Sequence, residues 1–461
     1  MSIDEGAGTT VDGFPIVVEG PSPPRTPVAL PVEDRERVAS VDVIRGVAVL
    51  GILAMNIVAF GWPVDVYEVP ILAPDWDRAD MALWALNYLL FHTKMMTLFS
   101  MLFGAGLVLM SDRAEGRGAR LRGVYYRRSA WLLAIGLVHS YLIWDGDILV
   151  PYALCGFLLY PARKWPARRL IVVGACLNLL LVPMIFGFRV VGVPYLKEHA
   201  ARAEAEIKAG RRPGRLDDAI REVWKEITKP ARPTREEMLR EIATYRGGYG
   251  GIVRDRAEDL VWGQPVGFLF VEWWFIGGRM LIGMGLMKLG VFSARLSGRA
   301  YLTMMAVGYG VGLPLMAFDA WHEASNGFFL DDRLRYSLDG WPMLLAYGSL
   351  PVVFGHIGLV MLICRSGALP RLTRRLAAAG RMALSCYLFD SIACTTFFYG
   401  YGLDYTASLH RPLLYAIVIA IWTAQLLVCP LWLEWSRFGP AEWAWRSLTY
   451  WKLQPIRARA G

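Results

Sequence analysis

The stretch from Ser40 to Phe60, SVDVIRGVAVLGILAMNIVAF, decides the fold class. A bilayer's hydrocarbon core takes about 20 mostly apolar helical residues to cross, and this segment has that length and character. It also carries an aspartate, an arginine and an asparagine. At 100° per residue Asp42, Arg45 and Asn56 fall within about 60° of one another, so one polar face must turn into a bundle and away from lipid. Ionisable groups at bilayer depth cost about 2.5–3.5 kcal/mol each on insertion scales and are functional candidates by default.

Outward from this segment the pattern repeats. Of the 461 residues, 55% are hydrophobic and only 19% charged, far from the balance of a soluble domain. Ten apolar runs lie near 41–60, 82–111, 129–144, 148–163, 168–190, 266–288, 300–318, 341–363, 382–400 and 412–435. They predict an all-α, polytopic membrane protein of about ten transmembrane helices. Residues 1–37, rich in Pro, Gly and charge and without a signal-peptide pattern, read as a disordered cytoplasmic leader. Residues 38–190 and 263–453 read as two five-helix membrane halves, 191–262 as a charged helical insertion between spans five and six, and 454–461 as a cytoplasmic tail. The six cysteines carry no CxxC spacing, so neither a disulfide framework nor a zinc site is expected, and no other metal is.

Basic residues are retained on the cytoplasmic side of short loops. Arg35 and Arg37 precede the first run, six arginines from Arg113 to Arg128 follow the second, and Arg163 to Arg169 follow the fourth. Lys288, Arg295 and Arg299 follow the sixth, five arginines from Arg365 to Arg381 the eighth, and Arg437 onward the tenth. The alternate loops are nearly free of them, which predicts both termini in the cytoplasm and the insertion outside. The excess of 49 basic over 40 acidic residues is explained by the membrane, so nucleic-acid binding is not inferred. The expected partners are membrane lipids, with a homodimer left open. The insertion reads either as a solvated cap or as a lid over an outer site.

Several polar groups sit inside the runs. Asp42 and Arg45, three residues apart, read as a structural pair or, for Arg45, as a contact to a donor's phosphates. Lys94, with His92 beside it, either pairs with an acid such as Asp390 or marks the true start of its span, residues 80–92 then lying along the outer interface. In GLVHSYLIWDGDILVPYAL, His139 is followed by Asp145 and Asp147. A histidine held by a carboxylate is a general base, while the structural alternatives are a backbone-bonded histidine and, for Asp147, a helix N-cap. Glu272 and Arg279, seven residues apart, share one helical face. Asp390 lies about 14 Å past Arg381 at 1.5 Å per residue, near the midplane, with Ser385 and Ser391 close by.

SVDVIRGVAVLGILAMNI, KMMTLFSMLFGAGLVL, GLVHSYLIWDGDILVPYALCGFLL, TYRGGYGGIVRDRA, MLIGMGLMKLGVF, GRMALSCYLFDSI and FGPAEWAWRSLTYWK, in this order from about 38 to 453, resemble the YeiB family of bacterial multi-pass membrane proteins. That family is grouped with transmembrane acyltransferases similar to the lysosomal heparan glucosaminide acetyltransferase, which share an Arg-Gly first span like Arg45-Gly46. The resemblance implies transfer of an acyl group from cytoplasmic acyl-CoA, acetyl or longer, to a hydroxyl or amine of an extracytoplasmic glycan, lipid or small molecule. The better known relatives use an outer histidine near the first two spans; the 61–80 loop here has none, leaving that role to His139 or His92. The C-terminal motif would carry Asn and Gln where Cys386 and Asp390 stand. The expected site comprises His139, Asp145 and Asp147 for catalysis, Arg45, Lys94, Arg127 and Arg128 for the donor, and Asp42, Asn56, Tyr152, Asp390 and Ser391 for substrate. The alternative is a proton-coupled transporter of a small organic solute, built on the paired intramembrane charges.

Overall fold

The computed structural model describes residues 10–11, 14–15, 38–227, 233–329 and 349–457. Most of the expected leader, part of the tail and residues 341–348 of the eighth run lie outside them. Within the leader, Thr10–Val11 and Phe14–Pro15 form a two-residue antiparallel pair. Every other named element among the described residues is helical.

The opening segment forms α1 (Ala39–Gly61), and it is the axis of the bundle: nearly every residue along it is buried. A helix apolar on all sides belongs inside a bundle. The chain continues through α2 (Arg78–Leu90), α3 (Lys94–Gly116), α4 (Arg122–Val138), the short α5 (Leu149–Leu159) and α6 (Ala167–Gly187). The insertion supplies α7 (Val193–Lys208), α8 (Arg215–Ile227), α9 (Arg235–Tyr245) and α10 (Tyr249–Gly267). The C-terminal part contains α11 (Gly278–Lys288), α12 (Gly298–Ser325), α13 (Ser349–Ser366), α14 (Pro370–Arg381), α15 (Ala383–Phe398), α16 (Arg411–Trp435) and α17 (Pro440–Tyr450). Around α1 stand α3, α13, α14, α15 and α16.

Among the described residues six helices are long and apolar enough to cross a membrane: Ala39–Gly61, Arg78–Gly116, Tyr249–Lys288, Gly298–Ser325, Ser349–Ser366 and Arg411–Trp435, with Ala383–Phe398 a shorter apolar one. The faces of α12 and α16 that the bundle does not cover are apolar, with Val307, Val311, Ile419 and Leu431 about half or more exposed. Apolar faces of this extent belong to a hydrocarbon surround, so this is an all-α polytopic membrane protein.

Of the ten expected runs, 129–144, 148–163, 168–190 and 382–400 are not among the six, two of the four lying in the 129–163 region. There α4 runs into a π-helical turn, His139–Ile143, and α5 is only 11 residues, about 16 Å and too short to cross alone. Pro161 lies in the 3-10 turn Tyr160–Lys164 that follows α5. Both expected edges of the insertion, 190/191 and 262/263, fall inside continuous helices. There π turns at Phe188–Gly192 and Phe268–Gly277 join α6 to α7 and α10 to α11. Widened turns let a helix pass Pro194 and Pro265 without ending.

Two crossings set the bundle's geometry. A Cβ on Gly46 would overlap the Leu376 carbonyl of α14, and one on Gly380 would overlap the Asp42 carbonyl of α1. Between α3 and α11, Gly104 and Gly283 meet the backbones of Met280 and Met101 in the same way. Small residues at such crossings permit backbone contact in the absence of a hydrophobic drive between helices.

Candidate functional site

Beside the α1–α14 crossing the bundle encloses a cavity of about 230 Å³. Because Gly46 lets α14 lie against α1, the neighbouring Arg45 is turned into this cavity, bonded to Asp42 at 2.9 Å. Arg113 of α3, Arg117 just past its end, Arg128 of α4, Arg381 of α14 and Arg446 of α17 line the same mouth. Glu442, Trp445, Arg446 and Tyr450 reach it from one face of α17. The Arg128 guanidinium lies 3.6 Å from the Trp445 ring centroid, a cation–π contact. The Glu442 carboxylate accepts the Leu384 and Ser385 amides at 2.7 and 3.1 Å, capping α15 from another helix. Burial pushes that carboxyl above the usual range, opposed by the hydrogen bonds it accepts.

Along α3 the lining runs from Arg113 to Phe99, about 21 Å of helix. The walls are apolar, and the inner end is formed by Ile148, Leu149, Tyr152 and Tyr387. Tyr152 is anchored there by Ser100 at 2.7 Å and the Met96 carbonyl at 3.0 Å. One side-chain layer beyond, the Tyr387 ring centroid is 4.9 Å from that of His139.

His139 opens the π-helical turn and is fully buried. Its Nδ1 lies 2.8 Å from Asp147 Oδ1, and its Nε2 lies 2.9 Å from Ser391 Oγ. The second Asp147 oxygen accepts the Val150 amide at 2.7 Å at the start of α5. Asp147 therefore caps a helix and orients a histidine at once. A π turn is a recurrent feature of functional sites, and this one turns the ring inward between α5 and α15.

Other expected site residues lie elsewhere. Asp145 faces the insertion, 3.9 Å from Arg256, because the turn Trp144–Ile148 points successive carboxylates to opposite sides; it does not orient His139. Asp390 is held by Gln425 Nε2 at 2.6 Å and ties α15 to α16, outside the cavity lining. Arg127 donates to the Thr449 carbonyl at 3.0 Å and is turned to α17, one position away from Arg128. Asn56 is buried farther along α1, past the lining residues. Lys94 stands at the opposite end of α3 from Arg113, about 28 Å along the helix, and cannot join the arginines that line the cavity. Its Nζ donates to the Tyr88 carbonyl at 2.5 Å, while the Tyr88 hydroxyl donates to Asp319 at 2.6 Å. The pairing with Asp390 is thus excluded; α3 begins at Lys94, Thr93 taking a left-handed conformation at the joint.

At the far end, α9 and α10 rest on the bundle. Tyr249 donates to the Leu142 carbonyl at 2.8 Å, in the π turn that His139 begins. The Gly400 amide donates to the Tyr245 carbonyl at 2.8 Å, and Glu241 accepts the Val64 amide at 3.2 Å. Burial pushes the Glu241 carboxyl up to about 7, the Val64 hydrogen bond opposing and Asp65, Asp145 and Asp255 adding to it. Arg381, Arg446, Glu442 and Tyr387 are not among the expected site residues, although each belongs to one of the motifs GRMALSCYLFDSI and FGPAEWAWRSLTYWK.

Residues 286–452 match the family described as "Protein of unknown function (DUF418)". The "Uncharacterized protein YxaH" of Bacillus subtilis (strain 168) is 28% identical over 434 residues, 92% of this chain and 97% of that protein. No solved structure matches the chain. The "Uncharacterized protein YeiB" of Escherichia coli (strain K12) is 31% identical over 432 residues, 90% of this chain and 96% of that protein, and with that identity over nearly its whole length the chain belongs to the YeiB family.

Proposed function

We propose that this protein is an acyltransferase of the bacterial plasma membrane. It takes an acyl group from cytoplasmic acyl-CoA and delivers it to a hydroxyl or amine of an extracytoplasmic glycan, lipid or small molecule. The observation that carries this reading is one cavity with six arginines at its mouth and a carboxylate-held histidine one layer beyond its inner end. Guanidinium groups suit phosphates through bidentate, charge-assisted bonds, and apolar walls suit the extended arm of a thioester. At about 230 Å³ the cavity falls below the roughly 300–1,000 Å³ of sites that swallow a compact ligand, which favours a chain-like donor whose charged end stays at the mouth.

In this reading both termini and the arginine-rich end face the cytoplasm, and α9–α10 form the outer lid. His139, with its Nδ1 hydrogen directed to Asp147, takes the acceptor's proton on Nε2 as general base. The test is equilibrium binding of CoA and acetyl-CoA to protein purified in detergent, with release of free thiol in the presence of candidate acceptors. Saturable binding that Arg45→Ala weakens, and thiol release that His139→Ala abolishes, are the expected results. Donor-independent solute flux in liposomes, with no CoA binding, would instead support a transporter.

A further inference from the structure

We infer that Ser391 is the acyl-carrying nucleophile of this site, so that transfer proceeds through a serine ester in two displacements. The inference rests on the acyltransferase reading above. Asp147, whose carboxylate is fixed by the Val150 amide, faces His139 Nδ1 at 2.8 Å. A carboxylate only accepts, so Nδ1 carries the hydrogen and Nε2 presents its lone pair to Ser391 Oγ at 2.9 Å. This is the nucleophile–base–orienter arrangement recognised by geometry and role, independent of sequence order. A serine inside a helix ordinarily bonds back to its own turn. Here that alternative, the Tyr387 carbonyl, lies at 3.3 Å, farther than the histidine.

The placement gives the ester a purpose. Ser391 lies one turn from Tyr387, which walls the inner end of the donor cavity. His139 begins the turn whose Leu142 carbonyl is held by Tyr249 of the opposite-end insertion. The nucleophile thus stands between the compartment that receives the donor and the element that covers the other side. An acyl group parked on it needs no simultaneous presence of donor and acceptor. The Tyr387 ring stands between cavity and hydroxyl, so the donor carbonyl reaches Oγ when that ring turns aside.

In the first displacement the Ser391 hydroxyl proton passes to His139 Nε2 as Oγ bonds to the thioester carbonyl carbon. The C–S bond then breaks and the leaving thiolate takes the proton, giving a serine ester and free CoA thiol. In the second, the acceptor's O–H or N–H proton passes to Nε2 while its oxygen or nitrogen attacks the ester. The C–Oγ bond breaks and Oγ recovers the proton. No oxidant or reductant is needed.

Two labels applied to the purified full chain test this. After incubation with acetyl-CoA without acceptor, mass spectrometry is expected to find one acetyl group on the peptide containing Ser391. It should be absent in Ser391→Ala and slowed by about 10²–10⁴-fold in His139→Ala. A fluorophosphonate, which reports an activated serine without any donor, is expected to label Ser391 and to lose that label in the same two variants. Ser391→Cys should collect the acetyl group as a thioester cleaved by hydroxylamine at neutral pH, which a merely structural role would not produce. Thiol release and acceptor acylation retained within about 2-fold in a folded Ser391→Ala would overturn the serine relay while leaving the acyltransferase intact. Fluorophosphonate labelling with no binding of acyl-CoA would keep the nucleophile and remove the donor assignment. Absence of both labels overturns the proposal.

Discussion

Arg45 is where sequence and site meet most directly. It is about one-quarter exposed, bonded to Asp42 and turned into the cavity mouth. A guanidinium–phosphate bond is worth roughly 1.5–3 kcal/mol, so Arg45→Ala is expected to weaken CoA binding by about 10- to 100-fold, measured by isothermal titration in detergent. Arg45→Lys should recover only part, since an ammonium cannot form the fork. Arg127→Ala, one residue from Arg128 but turned to the Thr449 carbonyl, should leave CoA affinity unchanged; a loss equal to that of Arg45→Ala would show that the lining arginines are not the binding set. The polar face of α1 and the His139–Asp147 pair were legible in the sequence because both are local, within three and eight residues. What was not legible came from distant segments: Ser391 meets His139 across 252 residues, and Glu442 caps a helix that begins 59 residues before it. Adjacent charged residues, Asp145 and Asp147 or Arg127 and Arg128, look alike in a sequence and face different neighbours in the fold.

Among the elements, long apolar helices were readable from length and composition, whereas their joints were not. Glu272 and Arg279 illustrate why: a heptad spacing assumes a regular helix, but Glu272 lies within the π stretch Phe268–Gly277, whose wider turn departs from that spacing before Arg279 is reached. The Arg279 guanidinium lies over the Phe275 ring at 3.0 Å. Likewise the short α5 follows from backbone turns that periodicity does not register, whereas the joint before Lys94 is one of the two readings its segment offers. The α1–α14 crossing carries its own prediction. Gly46→Ala or Gly380→Ala puts a methyl group into a facing backbone carbonyl, and overpacking of this kind costs about 1–3 kcal/mol. Each variant should lower the unfolding midpoint in detergent and also weaken CoA binding, because the crossing sets the direction of Arg45. Gly310→Ala, with nothing within 4 Å of the added carbon, should be neutral or stabilising by up to about 1 kcal/mol from helix propensity. Equal destabilisation by all three substitutions would rule out the backbone contact as the cause.

For the molecule as a whole, the arginine-lined cavity and the insertion occupy opposite ends of the bundle, and the insertion's seat is expected to respond to protons. Glu241 is held up to about 7 in the seated state, against an ordinary 4.5, by burial first and by Asp65, Asp145 and Asp255 next. The seated state therefore binds the proton more tightly than the released one. Seating is favoured at low pH, weakens as pH rises from about 4.5 to about 7, and is level beyond. Because the carboxyl is partly exposed, solvent screening reduces what the shift contributes to seating. Hydrogen exchange of residues 233–267, corrected for intrinsic rates, should show stronger protection at pH 5.5 than at pH 8. Glu241→Gln, which keeps an acceptor for the Val64 amide without the charge, should stay protected at both. Protection that instead rises with pH would mean that the ionised carboxylate holds the insertion down, with Arg246 or Arg256 of the same segment as its counterion, and the acidic neighbours would not govern the seat.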